Sequence, residues 1–269
     1  MSRIPADRKA ISLLALKEPV VLEPQRVVLA LKTLFPELRD VRIDVAETPD
    51  QASALTMMIG DELLAIMFFA MPIPADTLEP ALGNELMWKE ARAAFAPSPA
   101  HLLVTALAKE ESFAQRLRSS WLVSMAVTAL ASVYPVNGVF WSTSLVVIEP
   151  GRFQREAVAA SRGNWPTDLW FSLEWFKGES FERDNAIVCR TRGIGYFASR
   201  EIECGPYAIE PSQLGMLVQG LGRHVILTGA AFGDQDTLEL GEGSGRFARI
   251  SYEQSAYGGG APVMRVVLS

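Results

Sequence analysis

The chain has 269 residues, 49% of them hydrophobic and 21% charged, with a formal net charge of -6. That much apolar material sustains a full core, as one large domain or two packed smaller ones, and excludes the disordered classes. The acidic balance, with no basic run longer than Arg8–Lys9 or Arg190–Thr191–Arg192, argues against a nucleic-acid or acidic-membrane surface and tilts any protein partner towards a basic one.

Residues 11–22 read as a strand leading into a helix, with Pro24 near the first helical turn and Pro36 after the end. The helix stripe is Val27, Val28, Leu31 and Leu34. Residues 41–45 alternate as a half-buried strand. Residues 54–59 and 63–71 are two more, joined by the hairpin signal Gly60 and Asp61. The second is apolar almost throughout, as expected of a strand covered on both faces. Residues 76–95 read as helix broken near Gly83, residues 101–107 as a strand, and residues 110–133 as a long helix whose second half is apolar nearly all round and therefore central.

Strands at 138–141 and 144–148 follow, then a helix over 151–162. Strands at 169–176 and 186–192 are expected to pair, with another strand at 201–204. A helix over 212–221 is expected to end at Gly222. Strands at 225–228, 237–240, 247–252 and 263–268 complete the chain. No regular βα alternation appears, so a doubly wound sheet is not expected. The pattern predicts an α+β fold: mixed, mainly antiparallel sheets packed with about five helices, with an opening like a split βαβ module. Residues 1–269 read as a single compact unit, and the best place for two subdomains to meet is near 108–112.

Targeting signals are weak. The apolar stretch near the N-terminus is broken by Lys17, Glu18 and Pro19, which argues against a secretory signal. The greasiest segment, residues 121–134, is too short to span a bilayer. The two cysteines, Cys189 and Cys204, fall in strands on either side of Gly193 and Gly195. A turn centred on Ile194 would set Cys189 opposite Ser199, so a disulfide is not expected, and two free thiols point to a reducing, cytoplasmic compartment.

The chemistry-bearing residues form no catalytic motif. His101 and His224 lie in no metal-ligand spacing, and the cysteines form no CxxC. No nucleophile elbow is present. The glycine-rich run 241–245 leads into a strand rather than a helix N-terminus, so it reads as a connection and not a phosphate cradle. No metal and no cofactor is expected. Asp234, Asp236, Glu239 and Glu242 cluster as a solvated strand edge, with an acidic surface for a basic partner as the sharper reading. Four of the six tryptophans fall between Gly138 and Phe176. Most should be core, with one or two left for a partner.

Five phrases carry a family resemblance: MPIPADTLEPALGNELMWKEA, AHLLVTAL, GVFWSTSLVVIEPGRF, DLWFSLEW and GIGYFASREIE. In that order they resemble the bacterial domain-of-unknown-function family 4261, over residues 55 to 250. The matching positions include Pro72, Pro74, Trp88, His101, Gly138, Val139, Trp141, Leu169, Trp170, Gly193, Glu201 and Glu203. The family brings no established catalytic residues. The resemblance implies a cytoplasmic bacterial protein, in some contexts an immunity protein against secreted toxins such as type VI effectors.

Two classes of function follow as expectations. The first is a non-enzymatic protein-binding protein, an immunity protein in its narrowest form. Trp165 and Trp175, which do not match the family pattern, are then the aromatic contact candidates, together with Asp234, Asp236, Glu239 and Glu242. The second is an enzyme with a non-local acid–base site made of His101, Glu201 and Glu203. An accessory or chaperone of a secretion apparatus is a variant of the first.

Overall fold

A computed structural model describes residues 9–46, 53–83, 88–107, 112–160, 165–177, 186–229, 232–240, 247–257 and 259–268. The chain divides into two units, Lys9–Trp170 and Phe171–Ser269.

In the first unit, β1 (Ile11–Leu16) leads to α1 (Pro24–Leu34). Pro24 occupies the start of the helix, where its missing N–H leaves no bond unmade. Next come β2 (Ile43–Val45), β3 (Ala54–Ile59) and β4 (Glu62–Phe69), with Gly60 turning the β3–β4 hairpin at φ 60°. The helices α2 (Ala75–Leu82) and α3 (Ala91–Phe95) precede β5 (Ala100–Ala106). Then follow α4 (Phe113–Val133), β6 (Val136–Trp141), β7 (Val146–Ile148), α5 (Pro150–Ala160) and α6 (Thr167–Trp170). The Ser112 hydroxyl caps α4 by accepting from Gln115 N at 3.3 Å.

The seven strands form one sheet in the order β2-β3-β4-β5-β1-β6-β7, with every neighbouring pair antiparallel. By that alternation β1 and β2, joined by α1, run parallel with three strands between them, a wide version of the expected split βαβ opening. The long helix α4 packs against β5, β1 and β4, so the join between units does not lie near 108–112 but at Trp170–Phe171. Residues 108–111 themselves lie outside the described residues. An apolar helix and its flanking strands share one core, and that core, not linker composition, sets the unit's limits.

One sheet face is sealed from β3 to β7. Its cross-strand row Leu55–Ile66–Val104–Ser12–Trp141–Val146 is buried throughout. Trp141 Nε1 donates to Thr143 Oγ1 at 2.9 Å, and Trp170 Nε1 donates to Ser124 Oγ at 2.8 Å. These two tryptophans are core, as expected of a fold signature. Leu169 and Trp170 lie in the α6 turn, however, and not in the strand expected over 169–176.

The second unit contains β8 (Ser172–Lys177), β9 (Ile187–Arg192), α7 (Ile194–Ala198), β10 (Glu201–Tyr207), α8 (Pro211–Thr228), β11 (Thr237–Glu239), β12 (Phe247–Gln254) and β13 (Pro262–Leu268). The sheet order is β11-β12-β13-β10-β9-β8, antiparallel except for the β10–β13 pair. Two expectations fail here. Gly222 does not end a helix, and residues 225–228 are not a strand: α8 runs through both. A Cβ at Gly222 would meet the Phe171 ring at 2.8 Å, so this glycine makes room for a ring and leaves the helix intact. The stop is Gly229, left-handed at φ 68°.

The β9–β10 connection is also not a tight turn. It holds α7 between two left-handed residues, Gly193 and Ser199, which shifts the register so that Cys189 faces Cys204 and not Ser199. Both thiols are nevertheless free and buried.

Among the described residues there are eight α-helices and thirteen strands, an α+β fold with mainly antiparallel sheets. The helices beyond the expected five are short: the 76–95 segment yields both α2 and α3, and α6 and α7 are additional turns. No helix among the described residues is long and apolar enough to cross a membrane.

Candidate functional site: a half-covered sheet face

The acid–base reading names His101, Glu201 and Glu203, and each makes contacts within its own unit. His101 stands on β5 in the first unit, buried, with its ring stacked on Phe69 at 4.9 Å and 11°. Its Nδ1 lies 2.8 Å from Met71 O; a carbonyl only accepts, so Nδ1 carries the hydrogen. Glu201 closes the α7 connection in the second unit. Its Oε1 accepts from Gly193 N at 2.9 Å and its Oε2 from Thr191 Oγ1 at 2.8 Å. Burial raises the Glu201 carboxyl above the usual carboxylate range, and the bonds from Gly193, Thr191 and Gly195 only partly oppose it.

Glu203 belongs to a charge row. Across the second sheet, Glu174, Arg190, Glu203 and Arg265 are successive cross-strand partners on β8, β9, β10 and β13. Arg190 Nη2 lies 2.7 Å from Glu174 Oε2, and Arg192 also pairs with Glu174. Glu203 is fully buried. Its Oε2 accepts from Ser255, and its Oε1 lies 2.9 Å from Arg265 Nη1 in an ion pair poorly aligned for a hydrogen bond. The Phe176 and Tyr257 rings lie against Arg190 and Arg265 at 4.9 and 5.7 Å. Signs alternate and cancel along the row, so it holds strands in register and offers no spare charge.

On the opposite side of the same strands, Cys189 and Cys204 share a cross-strand row with Trp175 and Val266. Burial pushes the Cys189 thiol far up and that of Cys204 up to about 12, with Arg265 opposing the latter. Such thiols are poor nucleophiles.

The residues expected to contact a partner are built into the fold to differing degrees. Trp165 is half-buried between Trp121 and Trp170, at ring distances of 5.7 and 6.0 Å. Trp175 is half-buried beside Gly215 of α8, where a Cβ would come within 3.2 Å of its ring. Asp234 Oδ1 accepts from Tyr252 N at 2.9 Å and Asp236 Oδ2 from Gly233 N at 2.6 Å, so both shape the turn before β11. Glu239 is exposed on β11, and Glu242 lies outside the described residues. Among the described residues no group of three His, Cys, Asp or Glu side chains is placed to hold a metal.

The one feature no motif announced is the other face of the seven-stranded sheet. Its row Ala54–Met67–Leu103–Leu13–Phe140–Val147 runs beside the sealed row described above. Leu13, Phe140 and Val147 are 8%, 2% and 2% exposed, because α2 and α3 lie over that end and add Leu78, Leu82 and Phe95 to one cluster. Gly138 on β6 makes the close approach of α3 possible: a Cβ there would sit 2.2 Å from Phe95 Cε2. Towards β2 the cover stops. Leu103 is half-buried, and Met67 and Met58 are each 36% exposed. The expectation that this strand, residues 63–71, is covered on both faces is therefore corrected: among the described residues one face of β4 holds the buried Leu64 and Ile66, while Met67 on the other is 36% exposed. The run LLAIMFF was the available signal, since period-2 alternation is missing exactly where a surface strand would show it.

Compared with protein-family models, with curated proteins and with solved structures, the chain finds no match.

Proposed function

We propose that this protein acts by binding another protein, through the open half of the seven-stranded sheet. One observation carries the reading: a single apolar cross-strand row is sealed at one end, while at the other Ala54 and Leu103 are half-buried and Met67 is 36% exposed. Contiguous apolar surface of this kind marks an interaction site on a soluble chain. Methionine suits it, because its unbranched, polarizable side chain adapts to a partner's contours. The narrower reading is a cytoplasmic immunity protein that covers a secreted toxin of the type VI kind. It is supported by the resemblance to family 4261 and by the acidic net charge, which favours a basic partner. A secretion-apparatus chaperone would use the same face.

The test is co-purification of the tagged chain with the product of the adjacent gene, in native form and with Met67→Glu. Retention by the native chain and loss in the variant are expected. Equal retention by both would overturn the assignment of the surface, and an adjacent product that is not a toxin would overturn the immunity reading.

A further inference from the structure

We propose that Cys189 and Cys204 are a reversible redox lock: a peroxide joins them in a cross-strand disulfide that pins β9 to β10. The lock lies wholly within the second unit and needs nothing from the sheet face of the first.

Placement comes first. The two cysteines are direct register partners on antiparallel strands, so their side chains leave the sheet on the same face. Directly opposed residues have Cα atoms about 5.5 Å apart in a hydrogen-bonded pair and about 4.5 Å apart in the other kind. Both separations fall within the roughly 4.4–6.8 Å that a disulfide spans. Both thiols are free and fully buried, and a charge on Cys204 opposes one on Cys189, as expected of neighbours. The chain has no third cysteine to compete. A tight turn at Gly193 and Gly195 would have parted the pair; α7 sets them face to face.

The second observation is where the pair sits. β9 and β10 join the β8 side of the sheet to the side that holds β13, β12 and β11. Their ladder is short: Arg190–Glu203 and Cys189–Cys204 are consecutive rungs, and the register shifts before the next, Ile187–Tyr207. Pro206 has no N–H to donate there, and a Cβ on Gly205, at φ 116°, would meet Ile187 O at 2.5 Å. A bond between the cysteines therefore fastens the last regular rung, next to the break. It also cross-links the loop through α7, which restricts the opened hairpin more than the closed one.

The chemistry balances with a peroxide as the only co-reactant. Arg265 favours the thiolate of Cys204, so that sulfur attacks first. It breaks the O–O bond of hydrogen peroxide, becomes a sulfenic acid and releases hydroxide, which takes up the proton that Cys204 gave. The Cys189 sulfur then displaces the sulfenic hydroxyl as the S–S bond forms, and the Cys189 proton leaves with that hydroxyl as water. Two thiols are oxidised, one peroxide is reduced and two waters are released. Burial keeps both thiols protonated at neutral pH, so closure is slow and quickens as pH rises. The lock answers sustained oxidation and not a brief pulse.

The experiment exposes the full folded chain to hydrogen peroxide at neutral and at alkaline pH. Remaining thiols are then alkylated, and peptides are mapped by mass spectrometry without reductant. The expected product is a single chain whose Cys189 and Cys204 peptides are linked, formed faster at the higher pH and reversed by dithiothreitol. Hydrogen exchange at the β9 and β10 amides should slow about tenfold or more in the oxidised chain. Cys189→Ala keeps the attacking sulfur and should accumulate a Cys204 sulfenic acid, trapped by dimedone. The native chain decides the matter even where that variant does not fold.

A folded chain that keeps both thiols, a link that forms only in urea, or disulfides only between copies would each overturn the lock. So would a Cys189–Cys204 link that leaves exchange on β9 and β10 unchanged, because the strands would not then be pinned. Sulfenic acid found in Cys204→Ala and not in Cys189→Ala would overturn the order of attack.

Discussion

The two sheets invert the usual relation between chemistry and exposure. In the second unit, the charge row Glu174–Arg190–Glu203–Arg265 is largely sealed, with Glu203 fully buried. In the first, Met67 at one end of an apolar row, and Met58 on the same face, are each 36% exposed. The charges can be buried because each has an opposite neighbour on the next strand, and the methionines are less covered because α2 and α3 lie over the other end of the sheet. Polarity along a strand therefore reports which neighbours a side chain needs. It does not report whether this chain supplies them.

The sharpest break in that comparison is Arg265→Met. It removes one of the two arginines that flank the buried Glu203 on neighbouring strands, and should cost about 3–5 kcal/mol of stability by urea unfolding. Adding Glu203→Met should return most of that loss. A double variant no more stable than the single one would show that the row does not act through charge pairing.

Next comes the apolar row itself. Leu13→Ala at its covered end should cost about 2–5 kcal/mol. Met67→Ala at its open end should cost clearly less, because part of the side chain is already in water. Equal losses would mean that the open half is covered in solution. Gly138→Ala should cost about 1–3 kcal/mol, because the new methyl must displace the Phe95 ring, and pairing it with Phe95→Leu should recover part of the loss.

The smallest effect is pH-dependent. The folded chain holds the Glu201 proton more tightly than the unfolded chain. Its contribution to stability is complete below the unfolded value, about 4.3, and is lost as pH rises through the raised folded value. Glu201→Gln should remove that falling component from a stability–pH curve. An unchanged slope would show that the carboxyl is not raised.

Much of the fold was legible in the apolar spacing. The Pro24 start of α1, the Gly60 hairpin, the central α4 and the strands around Trp141 follow from period and punctuation. The errors share a cause. Gly222 looked like a stop and is a seat for Phe171. Gly193 and Gly195 looked like a tight turn, yet Gly193 precedes α7 and Gly195 lies within it, which moved Cys189 opposite Cys204. A glycine's absent side chain can serve the backbone or a distant ring, and only the folded chain says which.

The candidate site was less legible. His101, Glu201 and Glu203 stood out because they can do chemistry, yet their partners turned out to be structural. Met58 and Met67 attracted no notice because methionine in an apolar strand reads as core.

By itself, then, the sequence determined the α+β class and the long central helix. Those depend on local period and on burial, which each segment carries within itself. The tertiary structure alone decided where the units divide, which glycines receive rings, how the charges of β8, β9, β10 and β13 cancel, and which end of the apolar row α2 and α3 cover. These depend on which segments come to lie side by side, and no single segment holds that information.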